Sequence, residues 1–189
     1  MKKILLLACV VLPLLVAGQS PQTEKPAAMT IGFEQDFLPY LTGGYFGALF
    51  IGKGHWRIRG LAAQATKPDF LLPDGFTGNT IKAYAIVGDL FLKPSFSGWW
   101  ISGGAVVWNG TIKIEGAPQS GHYQQYLVNG SAGYNWKFAG NFYLSPWAGL
   151  HLRLAGDTEV PVAAKTFKPP VLNPEASVKV GWYFRGNRE

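Results

Sequence analysis

The last strand-like segment of the chain is apolar at every second residue. Ala176, Val178, Val180, Trp182 and Phe184 alternate with Glu175, Ser177, Lys179, Gly181 and Tyr183. Side chains on a strand point alternately to opposite faces, so this segment has one greasy face and one that can hold charge. About ten residues with aromatics gathered at one end suit a tilted strand crossing a bilayer. The same period recurs upstream, and it predicts an all-β fold whose strands separate two environments.

Eight segments carry the pattern. In residues 29–37, Met29, Ile31 and Phe33 alternate with Thr30, Gly32, Glu34 and Asp36. Residues 43–51 are apolar on both faces, which leaves their orientation open. Gly52-Lys53-Gly54 reads as a tight turn. In residues 55–66, Trp56 and Ile58 oppose His55, Arg57 and Arg59, and the apolar face switches at Gly60-Leu61, which predicts a bulge. The fourth segment, 80–92, places Tyr84, Ile86, Leu90 and Leu92 opposite Asp89. The fifth, from Trp99 to Trp108, sets Trp99, Ile101, Ala105 and Val107 against Trp100, Ser102, Gly104 and Trp108. Residues 124–136 and 142–154 alternate cleanly, and 175–184 close the series. Between them, 67–79, 109–122 and 156–173 read as long loops rich in Gly, Pro or polar residues, and 93–98 and 137–141 as short turns.

The N-terminus reads as a secretory signal peptide, residues 1–18. Lys2 and Lys3 precede an apolar run from Ile4 to Ala17, and Val16-Ala17-Gly18 supplies small residues for cleavage. That run is short for a spanning helix. Cys9 follows Leu6-Leu7-Ala8 in a way similar to a lipoprotein box, but few apolar residues precede it and the run continues beyond it. Residues 19–28 read as a periplasmic leader, 29–184 as one domain, and 185–189 as a tail. The chain holds one cysteine, inside the signal, so the mature protein forms no disulfide within itself. Its formal charge of +6 falls to +4 without Lys2 and Lys3. That is too mild a balance to mark a nucleic-acid partner.

The connections are asymmetric. Those after segments two, four and six are short, and those after three, five and seven are long. Trp56, Trp99, Trp136, Phe142, Trp182 and Phe184 all lie near a short turn or the C-terminus, where they would form an interfacial girdle. No segment past the signal approaches about 18 consecutive apolar residues, so a membrane-spanning form must be a closed barrel. Alternation alone also fits a secreted soluble barrel or sandwich with its greasy face inward. The terminal aromatic strand, the clustered aromatics and the loop asymmetry favour the membrane form.

On these features residues 29–184 resemble the small eight-stranded outer-membrane barrels of Gram-negative bacteria. The resemblance implies an antiparallel up-and-down transmembrane β-barrel with short periplasmic turns and longer outer loops, placed in the outer membrane. It implies outer-membrane lipid and the barrel assembly machinery as partners, because the terminal aromatic belongs to the signal that machinery reads. Here Arg185-Gly186-Asn187-Arg188-Glu189 follow Phe184, a departure from that pattern. Gln19 after the cleavage site is similar to exported proteins of the Bacteroidetes.

With the greasy face toward lipid, Glu34, Asp36, Arg57, Arg59, Asp89, His151, Arg153 and Lys179 fall in or near the lumen. An eight-stranded barrel is barely wide enough for its own side chains, and unpaired buried charges are costly. Ion-pair plugging is therefore expected, and with it a non-enzymatic envelope protein that offers loops 67–79, 109–122 and 156–173 to an extracellular partner. A narrow, porin-like channel or carrier for small, even apolar, molecules is the second reading, and a lipid-modifying enzyme the third. Enzyme motifs are weak. His55, His122 and His151 lie in no metal-binding arrangement, and no G-x-S-x-G elbow occurs. No metal or cofactor is expected. A Ser/His/carboxylate set could be drawn from Ser145 or Ser177 with His151 and Asp89. Small lipid A deacylase barrels carry an adjacent His-Ser pair, which is absent here.

Overall fold

The computed structural model describes residues 29–184; the signal peptide, the leader and the tail expected from the sequence lie outside the described residues. The elements run β1 (Thr30–Asp36), α1 (Phe37–Leu41), β2 (Tyr45–Lys53), β3 (Trp56–Thr66), a 3-10 turn (Asp69–Leu71), β4 (Phe76–Phe91), β5 (Gly98–Ile114), β6 (Ser120–Ala139), β7 (Phe142–Gly156), β8 (Val160–Val162), β9 (Lys165–Phe167) and β10 (Leu172–Tyr183). Eight strands close into an antiparallel barrel in the order β1-β10-β7-β6-β5-β4-β3-β2, and β8 and β9 form a separate small hairpin. Closure pairs the strands all round and leaves no sheet edge.

The barrel is greasy outside, and its interior holds charged side chains between aromatic and apolar layers. Leu49, Ile86 and Leu154 are 66%, 69% and 65% exposed, whereas Glu34 and Asp89 are fully buried. β2, ambiguous in sequence, turns Phe46, Ala48 and Phe50 inward and Leu49 and Ile51 outward. Its turn into β3 passes through Gly54 at φ 61, a left-handed conformation that favours glycine. Gly181 is required for a different reason: a Cβ there would run into the Tyr143 ring.

Several expectations need correction. No bulge interrupts β3 at Gly60-Leu61, where pairing with β2 and β4 is continuous. The apolar residues that follow, Leu61 and Ala63, stay on the inner face because the lumen itself turns apolar above the charges. Register shifts occur instead at Thr77/Thr80, Tyr126/Leu127 and Lys137/Ala139. Residues 109–122 are mostly strand: β5 and β6 stay paired up to Lys113 and Ser120, with a short turn between them. β4 likewise takes in residues 76–79, and residues 37–41 are a short helix. Asp36 caps that helix by accepting the Leu38 amide at 3.1 Å.

The third long segment, 156–173, contains the β8–β9 hairpin. Val160, Val162 and Phe167 pack on Phe76, Ile112 and Tyr123 at the loop end of β4–β6. Phe167 is 1% exposed, with its ring 5.4 Å from Phe76 and 5.8 Å from Tyr123. Deleting a buried phenylalanine side chain costs about 3–5 kcal/mol, and an isolated hairpin has little stability of its own. Phe167→Ala is therefore expected to free the hairpin. Trypsin cleavage after Lys165, which precedes Thr166, should rise several-fold while the barrel keeps its heat-modifiable gel mobility. Unchanged cleavage would mean that other contacts hold the hairpin.

Candidate functional site

Strand alternation puts Glu34, Arg57, Arg59 and Asp89 on inner faces. Register sets Arg57 directly opposite Asp89, and Arg59 lies one inward position farther along β3. Two guanidinium forks then grip two carboxylates in a closed ring. Arg57 Nη1 lies 2.9 Å from Glu34 Oε1, and its Nε lies 2.6 Å from Asp89 Oδ2. Arg59 Nη1 lies 2.7 Å from Glu34 Oε2, and its Nη2 lies 2.8 Å from Asp89 Oδ1. Tyr143 donates to Glu34 Oε1 at 2.5 Å and accepts from Arg57 Nη1 at 3.0 Å. The four side chains are at most 2% exposed. Two positive and two negative charges cancel, and each of the four carboxylate oxygens has a guanidinium partner.

Arg57 Nη2 and Arg59 Nε have no hydrogen-bond partner among the described residues, but aromatic faces cover both groups. Arg57 Cζ lies 4.8 Å from the Phe50 centroid and 4.9 Å from that of Phe91, and Arg59 Cζ lies 5.4 Å from that of Trp100. Phe50, Phe91, Phe96, Trp100, Tyr143 and Tyr183 form a packed layer against the ring. On the loop side lies an apolar layer of Ile81, Ala85, Val87, Val106, Trp108 and Leu127, with Leu61 and Ala83 beside it.

The other predicted lumen residues lie outside the ring, although buried Lys179 is near enough to interact electrostatically with Glu34, Arg59 and Asp89. Asp36 accepts from Trp147 Nε1 at 2.8 Å and from the Ser177 hydroxyl. Lys179 Nζ sits over Trp147 at 4.3 Å and Trp100 at 5.3 Å. His151 Nε2 lies 3.0 Å from Glu175 and 3.4 Å from Asn129, with its ring 5.1 Å from Trp108. Arg153 lies farther toward the loops, donating to the carbonyls of Pro169 at 2.9 Å and Asp157 at 3.2 Å. The Ser/His/carboxylate set is not assembled: Ser145 accepts from Trp100, Ser177 donates to Asp36, and Asp89 belongs to the ring. Tyr143 and Trp100, which complete the plug, were missing from the charge-based selection. Both were nonetheless legible as aromatics at inward positions.

Outside, Trp56, Trp99, Trp136 and Phe184 are 64%, 62%, 62% and 55% exposed, and Phe142 and Trp182 are also exposed. Phe142 stacks on Trp182 at 5.5 Å, and Trp182 meets Phe184 at 5.4 Å. At the opposite end, Phe70 and Leu71 are displayed on the 3-10 turn. Asp69 anchors that turn, accepting from Thr77 Oγ1 at 2.7 Å and the Gly78 amide at 3.0 Å. These two hydrogen bonds hold its carboxyl below the usual carboxylate range.

No protein-family profile and no curated sequence matches the chain. In fold it is similar to the N-terminal β-barrel domain of Pseudomonas aeruginosa OprF. The TM-score is 0.50 and the identity 14%, over 85% of this chain and 100% of that one. The shared feature is the fold: an eight-stranded antiparallel barrel. The likeness gives no support to the Bacteroidetes reading of Gln19.

Proposed function

We propose that the chain is an exported outer-membrane β-barrel held shut by its own side chains, serving the envelope and presenting its loops without passing solutes. The observation that carries this reading is the closed, charge-neutral ring of Glu34, Arg57, Asp89 and Arg59, packed against an aromatic layer. A soluble barrel would expose its charges and keep large apolar residues off its surface; this one buries Glu34, Arg57, Arg59 and Asp89 and displays Leu49, Ile86 and Leu154, which suits a hydrocarbon solvent. The exposed aromatics at the short-turn end suit an interface belt. Phe70 and Leu71 on their anchored turn are the apolar groups a loop partner would meet.

The test is electrical. Purified mature protein, with insertion verified by heat-modifiable mobility, is expected to give no steady conductance in planar bilayers. A stable ohmic pore from the unmodified protein would overturn the closed-barrel reading and favour the narrow channel.

A further inference from the structure

We infer that the loop-side half of the lumen is a binding site for a small carboxylic acid with a short apolar tail. The seal described above lies on the turn side of this space, so the site goes beyond the closed-barrel function and does not require conduction. Ala63, Ala65 and Ala83, on the inner faces of β3 and β4, are only half-buried, as are Lys67, Arg153 and Glu175. Solvent therefore reaches the lumen from the loop end.

Two polar side chains in this region are deeply buried and incompletely satisfied. Among the described residues, Gln125 is 1% exposed and its Nε2 has no hydrogen-bond partner, and His151 is 7% exposed and its Nδ1 has none. Both border Trp108: Gln125 is its direct cross-strand partner, and the His151 ring lies 5.1 Å away. Lys67 Nζ lies 5.2 Å from the Trp108 ring and donates to Asn173 at 2.7 Å. Ala63, Ala83, Trp108 and Gln125 follow one another in register across β3, β4, β5 and β6. Two small apolar residues, a flat aromatic and an unpaired amide thus share one inward row.

The chemistry of that row and its surroundings selects the ligand. A buried amide N–H without an acceptor is unfavourable, and a ligand oxygen relieves it. Lys67 and Arg153 bring two positive charges, against one on Glu175, which already engages His151. The balance favours an anion at the head position. With Nε2 of His151 facing Glu175, its Nδ1 is left to accept from a protonated acid or, as imidazolium, to donate to a carboxylate. Half-buried Ala63 and Ala83 put only methyl groups into the row beside Trp108, which is where the tail would lie.

The mature barrel, refolded in zwitterionic nanodiscs with 15N-histidine, would be titrated with sodium hexanoate. The chain has three histidines, and His151→Gln identifies the relevant signal. A saturable shift at His151 is expected, with sodium acetate binding at least tenfold more weakly and hexylammonium producing no shift. Gln125→Leu should weaken hexanoate about tenfold. Ala63→Leu, which only fills the tail position, should weaken hexanoate and leave acetate unchanged. No saturable shift, an equal response to hexylammonium, or hexanoate binding indifferent to both substitutions would each overturn the assignment. None of these outcomes depends on whether the barrel conducts.

Discussion

Arg57→Ala is expected to lower the unfolding free energy of the barrel by about 3 kcal/mol, the lower end of the range for breaking a buried ion pair. Arg57 bridges both carboxylates, and its loss leaves one negative charge uncompensated where no side chain of the ring is more than 2% exposed. Arg59 still reaches both acids, which keeps the loss from being larger. Urea titration of the protein folded into lipid vesicles, followed by gel mobility, measures the effect. A midpoint that does not move would sink the plug as a stabilising unit. Replacing Glu34, Arg57, Arg59 and Asp89 together with apolar residues of similar volume should cost much less than Arg57→Ala, because no charge is then stranded. The two results together would separate stability from closure, since the apolar barrel should also stay non-conducting.

Ile86→Arg should cost about 2–4 kcal/mol if the outer face meets hydrocarbon at mid-depth. Ile86 lies on β4, 69% exposed, between Leu90 toward the turn end and Lys82 toward the loops. In a water-soluble barrel the same change at an exposed position would stay within about 0.5 kcal/mol. Thr111→Arg, on the part of β5 that extends past the apolar band, serves as the control and should be near neutral. Equal stability of the two variants in vesicles would remove the membrane reading.

The strands were legible because an apolar outer face and packed inward side chains impose a strict period of two. The same cause explains where reading stopped. Past Lys82, Asn109 and Gln124 the outer face becomes polar, and Phe76, Ile112 and Tyr123 turn inward beneath the β8–β9 hairpin. The alternation therefore reverses its sense, and Asn109-Gly110-Thr111 reads as loop although it continues β5. The hairpin itself sits among prolines. Its partners lie on distant strands, so nothing local announces it. In the plug, single-strand alternation placed Glu34, Arg57, Arg59 and Asp89 inside. Which of the eight candidates meet depends on relative register and tilt. That geometry joined Arg57 to Asp89 and sent Lys179 to Trp147 and Arg153 toward the loop end.

The ladders around the barrel are unequal. Residues 98–113 of β5 pair without a break with β6, whereas β1 and β10 are in register from Gly32↔Tyr183 to Asp36↔Lys179, with one further bond from the Phe184 amide to the Ile31 carbonyl. The long ladder joins neighbours in the chain through a short turn; the short one joins the two ends. Bringing those ends together carries the largest loop-closure entropy and returns few backbone bonds, with five registered pairs as in the local β1–β2 ladder. Folding would then begin in the β4–β6 meander and finish at the β1/β10 junction. Until that late step two strand edges stay unpaired, and Glu34 on β1 is kept from Tyr143 on β7, the hydroxyl that donates to it across the junction.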